Sequence, residues 1–259
     1  MPKEFEKEEL EELLKTISEK LSKNISIYLF GGAVMVFNNL KISTKDIDIL
    51  FKSKEDYLLF VNAAKKSGFI TKHIPSEYSQ FNMSLMLENL KTGWRLDLFL
   101  NKVCEKFKFN KDVQKRSKQI IKQNKLNTFF ISLEDIFIMK ALTQRDRDLE
   151  DMNLILGYGL KFNEILTEIE NQKKHKFDIL ERLFDFEEKH NLNLGLPSKL
   201  KKELIEHNNQ LINKLLEKQV KEMIDENKKK VEIMQEFELT EEEWLNMTSK
   251  IFPKKMRKI

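Results

Sequence analysis

The chain has 259 residues, 41% of them hydrophobic, which is enough for a sizeable core and too apolar for wholesale disorder. Its 46 Lys and Arg against 42 Asp and Glu leave a net charge of +4, so nucleic-acid contact is permitted but not demanded. A single cysteine, Cys104, excludes an intramolecular disulfide, and with four scattered histidines it gives no zinc pattern.

The opening MPKEFEKEELEELLK lacks the apolar core of a signal peptide, and no run approaches the ~20 apolar residues of a membrane span. A soluble, cytoplasmic protein is expected. Residues 4 to 23 predict an amphipathic helix, with Phe5, Leu10, Leu13, Leu14, Ile17 and Leu21 at helical spacing. Residues 25–30 (ISIYLF) predict a strand ending at Gly31-Gly32. A short helix is expected over 33–39, a strand over 46–51 (DIDILF), and a helix over 54–67 with Gly68 as its cap. Further strands are expected over 69–74, 80–87 and 94–100, with a hairpin turn at 89–93.

Residues 101–131 have no clear period. Lys and Arg are dense between Lys102 and Lys125, and the plainest reading is a solvated helix with its loops. A sharper reading makes this stretch a basic surface near the site that meets phosphates. From Ser132 the pattern is helical. Ser132 to Asp135 reads as a capping segment, Gly157 to Gly159 as a break, 162–191 as one helix and Gly195 to Pro197 as another break. A long charged helix, in one piece or two, follows from Leu200 to about Glu236. Thr240-Glu-Glu-Glu243 is a capping box, and the tail 253–259 is basic. The expected architecture is α+β: a catalytic domain over 1–131 with a small mixed β-sheet and flanking helices, then a helical domain over 132–259.

The chemistry concentrates between Ile27 and Phe51. Residues two apart in a strand face the same side, so Asp46 and Asp48 point together while Ile47 and Ile49 point inward. Adjacent carboxylates repel, and Mg²⁺ (or Mn²⁺) relieves that cost by taking carboxylate, water and phosphate oxygens. Gly31 and Gly32, without Cβ atoms, let backbone approach a phosphate. If the strand Trp94–Leu100 lies beside DIDILF, Asp97 joins the other two carboxylates, the minimum for a two-metal phosphoryl transfer. Each piece has a plain alternative: a turn for Gly-Gly, a solvent-facing edge for D-x-D, a salt bridge to Arg95 or Lys102 for Asp97.

Together, Gly31-Gly32, Asp46-Ile-Asp48 and Asp97 resemble the signature of the polymerase-β-like nucleotidyltransferase superfamily, over roughly residues 25 to 100. The lead-in Ser43-Thr44-Lys45 is similar to a variant of that signature found in prokaryotic members. The segments 133–140 and 145–151 are similar to a helical region in the branch containing the abortive-infection (AbiEii-like) toxins. That resemblance implies an NTP substrate, with Lys140 and Asp148 in the nucleotide pocket and Asp151 a further candidate. The plain alternative for 145–151 is a helix surface with ordinary ion pairs. On this reading Asp46, Asp48 and Asp97 hold metal, and Gly31, Gly32, Ser43 and Thr44 line the phosphate site. The acceptor is RNA (a tRNA end included), a protein hydroxyl or a small molecule. A toxin–antitoxin role follows from the branch alone, and the C-terminal helices could meet an antitoxin or a second copy. The competing reading is a catalytically inactive nucleotide-binding or interaction module on the same fold.

Overall fold

The computed structural model describes residues 5–76, 83–143 and 145–252. Elements are numbered in chain order. Ile25–Phe30 forms β1 and Ile47–Phe51 forms β2, antiparallel to it. Both are buried along almost their whole length, as strands covered on two faces must be. Between them Gly31–Phe37 makes a short helix, α2. On the far side of β2, β5 (Trp94–Leu100) runs parallel to it. β4 (Leu85–Asn89) pairs antiparallel with β5 through a tight turn. In that turn the Gly93 amide donates to Asn89 O at 2.7 Å, and the Asn89 side chain accepts from the Lys91 and Thr92 amides. β3 (Ile70–Lys72) forms that edge. On the other side of β1 lie β9 (Leu126–Phe130), parallel to it, and then β8 (Lys118–Gln123). The result is a mixed seven-stranded sheet in the order β3-β4-β5-β2-β1-β9-β8. β6 (Lys102–Val103) and β7 (Phe107–Lys108) form a small separate ribbon.

α1 (Lys7–Glu19) is shorter than the pattern suggested. It starts at a capping box made by Glu6 and Glu9, and buries Leu10, Leu13, Leu14 and Ile17. Phe5 is not helical: it forms an isolated bridge with Thr44 and stacks on Trp94 at 5.1 Å. α3 (Lys54–Lys66) is capped by Ser53, whose hydroxyl accepts from the Asp56 amide. Residues 80–82 of the expected strand over 80–87 lie outside the described residues, as do Glu4 and the basic tail 253–259.

The stretch 101–131 differs most from expectation. It holds only one short helix, α4 (Lys111–Arg116), and contributes β6 to β9. β9 alternates buried Leu126, Thr128 and Phe130 with half-buried neighbours, and so enters the main sheet.

α5 (Leu133–Thr143), α6 (Asp146–Leu156), α7 (Phe162–Asn171) and α8 (Lys176–His190) follow. The single helix expected over 162–191 is broken. At the break Gln172 turns inward, accepting from the Lys108 amide at 2.8 Å and donating to Lys108 O at 2.9 Å. The chain forms two compact units, Met1–Leu192 and Asn193–Ile259. The division expected after residue 131 runs through the first of them. β9 lies beside β1, and the Ile131 amide donates to Leu29 O at 3.0 Å, so the chain passes directly from the sheet into α5.

The second unit contains α9 (Ser198–Asp225), α10 (Lys230–Glu236) and α11 (Glu241–Ile251). The long helix expected from Leu200 is in two pieces. Val220, Met223, Ile233 and Met247 make its core, with Phe237, Leu239 and Trp244 packed against them. Thr240 caps α11 through the expected box with Glu243. No helix among the described residues is long and apolar enough to cross a membrane.

Candidate active site

The D-x-D segment is aimed by its apolar neighbours. Ile47, Ile49 and Phe51 are fully buried on one face, which fixes the facing of β2. Asp48 therefore turns the other way, and Asp46 lies one residue before the strand. On β5, Leu96 and Leu98 are fully buried on one face, leaving Arg95, Asp97 and Phe99 on the other. The parallel register sets Asp48 directly opposite Asp97, and the antiparallel one sets Asp48 beside Phe30, just before the glycines. Strand spacing of ~4.8 Å then brings the two carboxylates together.

The glycines are required by these side chains. Gly31 has φ +62, and a Cβ there would stand 2.3 Å from Asp48 Oδ2. A Cβ on Gly32 would stand 2.3 Å from Thr44 Oγ1. The pair is thus the space in which Asp48 and Thr44 sit. Thr44 is fixed further by donating from Oγ1 to Asp46 O at 3.2 Å and by its backbone bridge to Phe5.

Arg95 Nη2 donates to Asp46 Oδ2 and, at 3.1 Å, to Asp97 Oδ2. Asp97 is 3% exposed, and among the described residues its Oδ1 has no hydrogen-bond partner. Burial pushes the Asp97 carboxyl up to about 7, against Arg95, which lowers it, and with Asp46, which raises it. The Asp48 carboxyl is pushed well up by burial and by the charges of Asp46 and Asp97. A carboxylate group this crowded has an unmet need for positive charge.

The opposite wall comes from α5 and α6. Lys140 Nζ lies 2.8 Å from Asp148 Oδ1 and 2.7 Å from Asp151 Oδ2. Asp148 also accepts from Arg145 Nε at 2.7 Å and from the Thr143 hydroxyl. Burial opposes ionisation of Asp148, but Lys140, Arg145 and Thr143 together hold its carboxyl below the usual range. Burial likewise acts against Lys140, and Asp148 and Asp151 outweigh it, so the lysine stays charged. Lys41 Nζ meets Asp151 Oδ1 at 2.5 Å. The plain reading of 145–151 as a solvated surface does not hold for Asp148 and Asp151, which are 0% and 4% exposed.

These walls enclose a cavity of about 520 Å³, within the usual size of a small-molecule site. Gly31, Gly32, Ser43, Thr44, Asp46, Asp48, Asp97 and Lys140 all line it. Asp148 instead lies behind the wall, while Asp151 lines the cavity. Sequence reasoning missed the cations Lys41, Lys45, Lys72, Arg145 and Arg147 as lining groups; the salt bridge of Asp97 to Arg95, named as an alternative, is present, while the second bond of Arg95, to Asp46, was not foreseen. The i, i+2 spacing of Arg95 and Asp97 was the available signal for the last. Between 102 and 125 only Val103 and Cys104 reach the cavity. Arg116 is instead sequestered between Asp135 and Glu168, at 2.6 and 2.5 Å, and Lys102 and Lys106 face Glu105 and Asp178.

Among the described residues no three His, Cys, Asp or Glu side chains stand at metal-ligand spacing. The carboxylates nevertheless fit Mg²⁺, which usually takes one or two of them and completes its shell with water and substrate phosphate. The unpartnered Oδ1 of Asp97 and the crowding at Asp48 are what such an ion would answer.

A family model described as a nucleotidyltransferase of unknown function (DUF6036) matches residues 7–189, a span that includes every residue of this cavity. The match agrees with the nucleotidyltransferase resemblance, and the abortive-infection branch is no part of it. A crystal structure described as an antigenic nucleotidyltransferase-like protein from Paracoccidioides brasiliensis is 15% identical. The similarity covers 70% of this chain and 94% of that one, with a TM-score of 0.39. No curated protein matches the chain.

Proposed function

The chain belongs to this family of nucleotidyltransferases of unknown function, and from that premise we propose that the cavity transfers a nucleoside monophosphate from an NTP to an acceptor hydroxyl. The observation that carries the reading is the register pairing of Asp48 with Asp97, with Asp46 beside them and Lys140 across the cavity. A pure binding module has no use for three crowded carboxylates, which argues against the inactive alternative.

In the reaction the acceptor oxygen bonds to the α-phosphorus, the bond from that phosphorus to the bridging oxygen breaks, and pyrophosphate leaves. Asp46, Asp48 and Asp97 would hold Mg²⁺, which when bound draws electron density from the phosphoryl oxygens and eases loss of the acceptor proton. Asp97 would orient the acceptor hydroxyl at the β5 side. Lys140, kept charged by Asp148 and Asp151, would face the triphosphate as a point charge. Gly31 and Gly32 would let Asp48 and Thr44 sit close against the backbone, with Ser43 and Thr44 at the phosphate edge. Catalysis of this kind is chiefly positioning and fixed charge. The acceptor would be RNA, a protein hydroxyl or a small molecule.

The test is to incubate the protein and Mg²⁺ with each α-labelled NTP and a cell extract, and to follow pyrophosphate and label. Label entering RNA, protein or a small molecule, lost in Asp48→Asn, supports transfer. Tight NTP binding without pyrophosphate from any extract would favour the inactive module.

A further inference from the structure

Arg95 and Asp97 leave β5 on one face, two residues apart. The Arg95 side chain is 21% exposed, and its Nη2 serves both Asp46 and Asp97. One fixed cation thus bridges two of the three carboxylates, while Asp97 Oδ1 has no hydrogen-bond partner among the described residues. A divalent ion arriving here must share the same carboxylates with a guanidinium that repels it.

We propose that Arg95, which pairs with Asp46 and Asp97, competes with the divalent metal for these carboxylates and swings away when metal binds. The inference rests on the metal-dependent reading of the cavity. A receiver for the displaced guanidinium is in place. Glu88 stands directly opposite Arg95 in the β4–β5 register, so both project from the same face, and both line the cavity. Glu88 is held by Lys72 at 2.6 Å, so Arg95 would join an existing ion pair. The consequence is a site that takes metal poorly alone and well with a nucleotide, whose phosphates supply the charge to complete the exchange.

The experiment is titration of Mn²⁺ into the nucleotide-free protein, read by the electron paramagnetic resonance signal of free Mn²⁺. Wild type is compared with Arg95→Gln, Arg95→Lys and Glu88→Gln. Arg95→Gln removes the competitor and is expected to bind Mn²⁺ roughly tenfold tighter. Arg95→Lys keeps the charge and stays near wild type. Glu88→Gln keeps the competitor but removes its receiver, and binds several-fold more weakly. It also tests the idea should Arg95→Gln not fold. A merely structural arginine would give the opposite sign, because its loss would loosen the carboxylates and weaken binding. Mn²⁺ binding by wild type that is no tighter in folded Arg95→Gln overturns the competition and leaves the metal site standing. Unchanged binding in Glu88→Gln beside an unfolded Arg95→Gln overturns it as well. No Mn²⁺ binding by any form, even with NTP, overturns the metal reading itself and this inference with it.

Discussion

Lys41 and Lys140 hold opposite oxygens of one carboxylate, that of Asp151: Lys41 Nζ is 2.5 Å from Oδ1 and Lys140 Nζ 2.7 Å from Oδ2. The loop between α2 and β2, which carries Ser43, Thr44 and Asp46, is thereby tied to α6. Lys41→Ala cuts that tie and leaves Asp151 its second partner, Lys140. Lys41 is partly exposed, so the stability loss is expected to be at most about 1 kcal/mol. Hydrogen exchange over residues 38–46 should nevertheless speed up, while α5 and α6 keep their protection. Unchanged exchange in the loop would show that the Phe5–Thr44 bridge alone orders it.

Gly31→Ala meets two obstacles at once, a left-handed φ of +62 and Asp48 Oδ2 at 2.3 Å. Gly159→Ala meets only the first, since nothing lies within 4 Å of its would-be Cβ at φ +94. Gly159→Ala is expected to cost about 1 kcal/mol. Gly31→Ala should cost clearly more and also displace Asp48. Urea unfolding of both variants, beside nucleotide binding, checks this. Equal stabilities with intact nucleotide binding would contradict the role given to Gly31.

Arg116 makes a structural ion pair with two carboxylates in the first unit. It joins Asp135 of α5 to Glu168 of α7, both fully buried. Asn110 and Gln172 also bond Glu168. Arg116→Ala leaves two buried carboxylates without their cation and is expected to destabilise by about 3–5 kcal/mol. Denaturant titration measures it. A loss below 1 kcal/mol would mean that solvent reaches these carboxylates.

Cys104 lines the cavity, yet burial pushes its thiol up to about 12, with Arg145 opposing. Alkylation by iodoacetamide at pH 8 should be slow in the folded protein and fast in urea. Because the folded thiol holds its proton above the unfolded value near 9, the group favours folding less as pH rises from about 9 to 12. Rapid alkylation of the native protein would contradict the burial.

Much of the first hundred residues was legible because local pattern and tertiary demand agree there. β1 and β5 fall on their predicted ranges, and β2 starts one residue late. The D-x-D spacing already placed Asp46 and Asp48 together, and pairing of β2 with β5 was the one assumption needed to add Asp97. The stretch 101–131 was illegible for a physical reason: β8 is an exposed edge strand rich in Lys and Gln, and β9 owes its place to pairing with β1, a long-range contact. Gln172 broke a helix of unbroken periodicity through bonds to Lys108, 64 residues away. The cavity's second wall was legible only as a resemblance. No local rule distinguishes a buried Asp148 from a solvated one when its three partners come from the α5–α6 junction.

The central claim is a metal-dependent NTP site built on Asp46, Asp48 and Asp97. Calorimetric titration of each of the four NTPs, with and without Mg²⁺, into wild type and Asp46→Asn/Asp48→Asn tests it most directly. The account predicts binding that requires Mg²⁺ and disappears in the folded double variant. Absence of binding by folded wild type at millimolar nucleotide, or equal binding by the double variant, would contradict it.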